Sequence, residues 1–596
     1  MAKVNRMHRV LAFLGLAFVL AAGAEPAPRL SFDRQSVRID GRRAFLVSGE
    51  FHYFRVPKAD WKRRMELFKA AGGNCLATYV PWIVHEPEEG RILFGDRPER
   101  DLAAFLRLAQ EEGLMVIVRP GPYQYSELVN AGLPNWLLEK YPEIRLRQAD
   151  GSPVAKDTVD YLHPTFLSHV RTYFKAVAEV IRPYLAVHGG PIVLTQLDNE
   201  MTGIHIWQGY RPDAAYFVRC AHYLETLKGY LAEDGIVGPY CHNSGCAAMT
   251  ATYKASVDRL GTRDFLLGYD HYYGLQQSES ESPNPYYFIN ALFACDMLRG
   301  FGYPPIGFEI QCGTIGDVPV ILKEDLLACW MVNLAAGLKG INYYVFTGGP
   351  NFPGTAQMPE MEIYDYQAPV GPAGEVRPTY GALKAFGGFL SAHPELLDAE
   401  RLTSVRVGLE WEHTAHLAPF DEGFNRYGMF YALLQTPYSP EFFLLDKEIP
   451  CDGKPLVLAG VSAMSEEAQV RVADYVRKGG KLLVAPDFPR VDLFGRPCTL
   501  LADAASAATV LKETWKTQFF RQSERVATAL EGLGARPVIR SSNRNVFTTT
   551  YRLVSGKVGV FALNLRPGEQ ETTLTLPDGR ESRMKIPPMT VDFRIF

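Results

Sequence analysis

The stretch GPIVLTQLDNE, Gly190 to Glu200, sets an Asn-Glu pair directly after an apolar run. Pro191 to Leu194 reads as a buried strand, with Asn199 and Glu200 at its C-terminal end. A second run, PPIGFEIQCG from Pro304 to Gly313, carries Glu309 among apolar residues in the same manner. A carboxylate in such company costs free energy unless it is paired or employed. Burial raises the pKa of one acid while hydrogen bonds or cations hold a neighbour ionised, a division of labour that suits cleavage of a glycosidic bond.

Outward from these two runs the chain alternates strand and helix patterns. Strands are expected at Phe45 to Phe54, Asn74 to Pro81, Leu114 to Val118, Ile192 to Leu197, Gly238 to His242, Phe265 to Tyr269, Pro305 to Glu309 and Gly340 to Phe346. Lys58 to Ala71 carries Trp61, Met65 and Phe68 on one helical face before Gly72. Arg100 to Glu112 does the same with Leu102, Phe105, Leu106 and Ala109 before Gly113. Eight such units point to a parallel (β/α)8 TIM barrel over residues 25–394, although pattern alone leaves an open doubly wound sheet as the alternative. A barrel gathers its strand C-termini around one pocket. Tyr79, Glu127, Asn199, Glu200, His271, Glu309 and Tyr344 all fall at such ends or on the loops after them. Taken singly, each Tyr or His among them is equally an ordinary polar group of a barrel rim.

His393-Pro394-Glu395 reads as a boundary. PLVLAG from Pro455, a helix capped by Ser465 and running to Lys478, Gly479-Gly480, and the run Leu482 to Ala485 then predict a second α/β domain over residues 395–510. The last segment, residues 511–596, changes period. Val546 to Tyr551, Val558 to Leu563, Thr572 to Leu576 and Thr590 to Phe596 are β-branched runs between Gly-containing turns, which predicts a small antiparallel β-domain.

Composition narrows the partners. A formal charge of -4 over 596 residues gives no electrostatic reason to expect nucleic acid or an anionic membrane. Lys3, Arg6 and Arg9 precede an apolar run from Val10 to Leu20, and Ala22-Gly23-Ala24 offers a cleavage site, so residues 1–24 read as a signal peptide and the mature protein as secreted or periplasmic. No later segment is long and apolar enough to span a membrane. Nine cysteines lack metal-ligand spacing; Cys241 and Cys246 are close enough in sequence to bridge in an oxidising compartment, and most of the others read as buried thiols. The 13 histidines form no HExxH set, and no P-loop, dinucleotide fingerprint or GxSxG elbow occurs, so neither a metal nor a cofactor is expected.

Linked motifs then carry a resemblance. Tyr79-Val80-Pro81-Trp82 with His85-Glu86-Pro87, Arg119-Pro120-Gly121-Pro122-Tyr123, and Gly132-Leu133-Pro134 with Trp136-Leu137-Leu138 resemble the successive signatures of glycoside hydrolase family 35, the β-galactosidase family of clan A. The resemblance implies an acid/base role for Glu200 and a nucleophile role for Glu309, with Tyr79, Glu127, Asn199 and Tyr366 around the terminal sugar. His271 and Tyr344 join the expected sugar-binding set from their strand ends. Departures are present too. Glu309 is followed by Ile310-Gln311-Cys312 where the family offers aromatic residues, Ile83 stands where Asn is common, and Gln124-Tyr125-Ser126-Glu127 replaces a Cys-Ala-Glu form. The second domain resembles the flavodoxin-like or glutamine-amidotransferase-like middle domain of family 42 β-galactosidases and archaeal exo-β-glucosaminidases, which implies a part in homo-oligomer assembly.

Three functions remain open on the sequence. The first is an exported, retaining exo-β-galactosidase acting on a carbohydrate substrate. The second is an exo-β-glucosaminidase or another β-glycosidase of the same fold, although an amine at carbon 2 favours an acidic neighbour and Asn199 is neutral. The third is a carbohydrate-binding protein without catalysis, against which the presence of both glutamates speaks.

Overall fold

The computed structural model describes residues 29–154, 158–243, 251–272, 286–316, 320–358, 361–410, 429–505, 507–512 and 519–596. The expected signal peptide and Cys246 lie outside the described residues. Eight parallel strand positions form the barrel: β1 (Leu46–Phe51), β2 (Cys75–Tyr79), β3 (Met115–Arg119), β4 (Ile192–Gln196), β5 (Tyr240–His242), β6 (Phe265–Leu267 and Tyr269–His271), β7 (Ile306–Gln311) and β8 (Gly340–Thr347). Each is buried along its whole length, as strands covered by helices outside and packed side chains inside must be. The eight positions coincide with those expected from the sequence.

The ring closes at β6. Its first half pairs with β5 and its second half with β7, while β8 returns to β1. Gly268 sits at the break, where a Cβ would stand 2.1 Å from Phe308 Cδ2, so only glycine lets the strand pass that ring. Register also slips between Tyr269 and Asp270, after which Asp270 lies opposite Glu309. Parallel neighbours in register face the same side of a sheet, so this slip sets which β6 side chains enter the barrel.

Three short antiparallel strands, Leu30–Phe32, Val37–Ile39 and Arg42–Ala44, precede the barrel. Their run of arginines hid them from the sequence pattern. The second domain is a five-stranded parallel sheet ordered Pro440–Leu444, Val405–Leu409, Leu456–Ala459, Leu482–Ala485, Thr509–Val510. In chain order this is 2-1-3-4-5, the flavodoxin-like arrangement. Ser465 caps Glu466–Arg477 by accepting from the Ala468 N–H, as expected.

The C-terminal domain has a four-stranded sheet and a three-stranded one. Its first strand, Glu400–Leu402, is supplied before the parallel sheet begins and pairs with Val546–Arg552, so the chain visits the last domain on its way into the middle one. Glu581–Ile586, unforeseen in the sequence, alternates charged exposed residues with buried Met584 and Ile586. The barrel helices anchor both appendages. On Tyr286–Phe301, Asp296 pairs with Arg401 and Phe293 packs edge-on to Phe442, while Thr549 and Tyr551 donate to the Ala335 carbonyl of Lys323–Ala336. No helix among the described residues is long and apolar enough to cross a membrane.

Cys241 is a buried free thiol on β5, and Cys75, Cys220, Cys295, Cys312 and Cys329 are buried free thiols as well.

Candidate active site

The C-terminal ends of β4 and β7 bring Glu200 and Glu309 to one place. Carboxylate oxygens of Glu200, Glu309 and a third acid, Asp270 of β6, all lie within 4.8 Å of one another, and all three residues are buried. The chain is bent to achieve this. Asp198 and Glu200 hold left-handed φ values of 54° and 42°, and Tyr125, Ser126 and Glu127 on the loop after β3 hold 60°, 51° and 49°. Non-glycine residues in that region cost roughly 1–3 kcal/mol each, so surrounding contacts must impose it. The β3 loop is tied down by Val129 N–H to the Thr355 carbonyl and Gln357 N–H to the Glu127 carbonyl.

Glu309 is surrounded by donors. Its Oε1 accepts from Tyr79 Oη at 2.9 Å and Arg119 Nη2 at 2.5 Å, with Asn243 Nδ2 at 3.4 Å; its Oε2 accepts from Tyr272 Oη at 2.8 Å. Arg119 lies over the Tyr79 ring at 4.0 Å and also donates to Glu50 at 2.9 Å and to Asn199 Oδ1 at 2.8 Å. Although burial works against its charge, Glu50, Tyr79 and Glu309 hold the guanidinium firmly protonated. Burial likewise pushes the Glu50 carboxyl up, but Arg119, His52 and Asn342 outweigh it and bring it to about 2.

Glu200 lives in different company. Burial and the Glu309 charge push its carboxyl well up, and Asp270 is its hydrogen-bonded neighbour. Burial and the charges of Glu309 and Glu200 push Asp270 up in turn. Asn243 links these groups: its Nδ2 lies 2.8 Å from both Asp270 Oδ2 and Asn199 Oδ1, and its Oδ1 accepts from Gln196 at 3.0 Å. Asn199 in turn donates to the Gln124 carbonyl at 3.0 Å. Asp198 faces away, accepting from Tyr223 Oη at 2.6 Å; it lies beyond the end of β4, and its left-handed φ sets this direction.

A tyrosine wall completes the pocket. Tyr364 Oη donates to Glu127 Oε2 at 2.5 Å and lies 3.2 Å from Tyr344 Oη, and Tyr366 packs against both tyrosines. Burial pushes the Glu127 carboxyl up, against the pull of Tyr364 and Arg55. Gly313, beyond the end of β7, admits this segment: a Cβ there would lie 1.9 Å from the Tyr366 carbonyl oxygen.

Of the residues singled out in the sequence, Tyr79, Glu127, Asn199, Glu200, Glu309, Tyr344 and Tyr366 converge here. His271 does not join them. It points outward to the helix Lys323–Ala336, with Nδ1 2.9 Å from Asn333 Oδ1, while its neighbours Asp270 and Tyr272 face the glutamates. Arg119 lies inside the Arg-Pro-Gly-Pro-Tyr motif, which by itself assigns it no role; Tyr272 was legible only as a strand-end residue beside His271, and Asn243, Asp270 and Tyr364 carried no role. The three clustered carboxyls are the one group of possible metal ligands among the described residues. Arg119, two tyrosines and Asn243 already serve the Glu309 oxygens, and the cluster has the make-up of a proton-handling set rather than a cation cage.

Comparisons with known proteins bear on the family and the fold. The chain is 28% identical over 563 residues to the exo-beta-D-glucosaminidase of Thermococcus kodakarensis, covering 80% of this chain and 70% of that one. It is 31% identical over 388 residues to the beta-galactosidase of Homo sapiens, covering 63% of this chain and 50% of that one. The fold matches the crystal structure of a beta-galactosidase from Rahnella sp. R3 with a TM-score of 0.69 at 13% identity, over 95% of this chain and 100% of that one. Residues 445–533 match the model of the GLMA-like second domain. Residues 36–389 match the model of glycosyl hydrolases family 35, and the chain belongs to that family.

Proposed function

We propose that the protein is an exported, retaining exo-β-galactosidase that releases terminal β-galactose by double displacement. The observation that carries the reading is the pair of buried carboxyls, Glu200 and Glu309, within 4.8 Å of one another at the ends of β4 and β7. Retaining enzymes need about 5–5.5 Å between the two groups, whereas inversion needs about 6.5–9.5 Å to admit a water.

The two glutamates divide the work. A Glu309 oxygen forms a bond to the anomeric carbon as the bond to the departing oxygen breaks, and Glu200 gives that oxygen its proton. Esterification removes the Glu309 charge, which had held the Glu200 proton on, so Glu200 becomes a better base for the second half. Water then attacks the anomeric carbon, Glu200 takes its proton, and the ester bond breaks to restore Glu309. Arg119, Tyr79 and Tyr272 place their donors where charge is lost and regained, already oriented before the sugar arrives. Glu127, with its tyrosine neighbours, is placed to accept from sugar hydroxyls and Asn199 to meet the 2-hydroxyl, a mode of recognition that rejects a sugar lacking the hydroxyl.

Galactose is favoured over glucosamine because the residue before the acid/base is a neutral amide and the adjacent Asp198 is turned to Tyr223, leaving no carboxylate from this segment for a 2-ammonium. The similarity to an exo-beta-D-glucosaminidase over 80% of this chain and the matching second domain favour the second reading, an exo-β-glucosaminidase. Initial rates on aryl β-galactoside, β-glucoside and β-glucosaminide, with the product anomer followed by NMR, decide between them. A β-anomer released fastest from the galactoside is expected; a glucosaminide preference moves the assignment to the second reading, and an α-anomer removes the mechanism.

Export rests on the charged and apolar segments at the N-terminus, and secreted material still beginning at Met1 opposes it. Assembly through the middle domain is part of the same reading. Phe494 there is 73% exposed, and a monomer by light scattering counts against assembly.

A further inference from the structure

Asp270 is a third acid in a pocket whose proposed chemistry uses two. It lies in register beside Glu309 on the neighbouring strand, so the two side chains enter the barrel together. Its Oδ2 is held by Asn243 at 2.8 Å, and no donor among the described residues reaches its buried Oδ1. The Glu200 carboxyl is its hydrogen-bonded neighbour. Two carboxylates are both acceptors, so a hydrogen bond between them requires a proton on one. An acceptor-only contact buried beside a third carboxylate would otherwise be repulsive at a low effective dielectric constant.

We propose that Asp270 is a positioning residue for the acid/base, its Oδ1 sharing one buried proton with the Glu200 carboxyl, so that the pair keeps that proton between turnovers and the Glu200 carboxyl stays turned toward Glu309. This rests on the reading of Glu200 as the acid/base. The proton balance is closed: the one that leaves Glu200 with the departing oxygen is the one recovered from water in the second half, and Asp270 supplies the contact that returns Glu200 to its starting orientation. The charged and titratable groups facing the pair are Glu309 from β7, Arg119 from β3, Glu127 from the loop after β3, and the hydroxyls of Tyr272 and Tyr366. Asn243 fixes the geometry from β5, since its Nδ2 spans Asp270 and Asn199 while its Oδ1 faces the Glu200 N–H at 3.4 Å.

The role differs from packing in what it moves. In Asp270→Asn the shape persists, the second site for the shared proton is gone, and Glu200 must hold a proton alone beside an amide donor that favours its carboxylate, so the proton leaves at lower pH. Two readouts test this on the full chain. The first is a carboxyl infrared titration of protein carrying 13C-labelled side-chain carboxyls, compared between wild type and variant, which needs no turnover. The second is the pH profile of kcat/KM on aryl glycosides with good and poor leaving groups.

The protonated-carboxyl band persists above neutral pH in wild type and is lost about one pH unit lower in Asp270→Asn. The alkaline limb of kcat/KM shifts by the same amount, and the good leaving group outruns the poor one by about tenfold more than before, because only the poor one needs the acid. An unshifted band and limb, with both substrates slowed alike, overturn the proposal and leave Asp270 a packing residue. Should Asp270→Asn fail to fold, Glu200→Gln gives the reciprocal test: the Asp270 band must move to lower pH, and an unmoved band overturns the proposal. If wild type cleaves no β-glycoside, the glycosidase reading falls while the infrared titration still decides whether the two acids share a proton.

Discussion

Glu309 and Glu200 share a pocket floor and are equally hidden from solvent, yet their neighbours differ in kind. Around Glu309 stand a guanidinium, two phenols and an amide, all with hydrogens pointed at its oxygens. Around Glu200 stand two other acids. The proposed function uses this difference, giving one residue type the nucleophile's task in one place and the proton donor's a few ångströms away. The barrel makes this possible by bringing β3, β5, β6 and β7 to the same rim, so that each glutamate is tuned by strands other than its own.

The sharpest break in the comparison is Glu309→Gln, which removes the attacking oxygen and leaves the donors in place. Turnover is expected to fall roughly 10⁴-fold or more on every β-glycoside while the circular dichroism spectrum is unchanged; residual activity near wild type would move the nucleophile elsewhere. Glu200→Ala comes next. It is expected to lose about 10²–10⁴-fold on poor leaving groups and much less on good ones, with added azide restoring turnover by attacking the glycosyl-enzyme without base help. Failure of azide rescue would take the acid/base role from Glu200.

The donor side is probed through Arg119. Arg119→Met leaves Glu50 buried without its cation, and breaking such a pair costs about 3–5 kcal/mol, read as a lower urea midpoint. Tyr272→Phe removes one hydroxyl from Glu309 Oε2 and keeps the ring. A hydrogen bond to a charged group is worth about 1.5–3 kcal/mol, so kcat/KM is expected to drop about 10- to 100-fold with little change in thermal midpoint.

The mildest effect concerns acid. Glu50 sits at about 2 in the folded protein against an ordinary 4.5, so it contributes stability above about 4.5 that is lost as pH falls toward 2. Glu50→Gln is expected to flatten that part of the pH–Tm curve, and an unchanged slope would place the acid sensitivity in another carboxylate.

Much of this contrast was legible in the sequence, and the reasons for the remainder are physical. The eight barrel strands announce themselves as short apolar runs because both faces of a parallel barrel are covered. Glu200 and Glu309 interrupt such runs, and few residues advertise a task more openly than an acid there. The acid's own company was invisible because it depends on facing. On β6 the sequence reads Tyr-Asp-His-Tyr, and histidine drew the eye; the break at Gly268 and the register slip after Tyr269 turn Asp270 and Tyr272 inward and His271 toward Asn333. No local pattern encodes that slip. Asn243 is a lone amide one residue past β5, and its value lies in three groups from other strands. The same limit applies far from the site, where Glu581–Ile586 hid behind its charged outer face.

The division of labour is tested most directly by trapping the covalent intermediate with a 2-deoxy-2-fluoro-β-glycosyl fluoride of the preferred sugar, then digesting the protein and locating the added sugar by mass spectrometry. The fluorine slows both halves of the reaction and the good leaving group restores the first, so the ester accumulates. The added mass is expected on Glu309, with label lost and activity regained on standing in a glycosyl acceptor. Label on Glu200 or Asp270, or steady turnover with no labelled peptide and an inverted product, would contradict it.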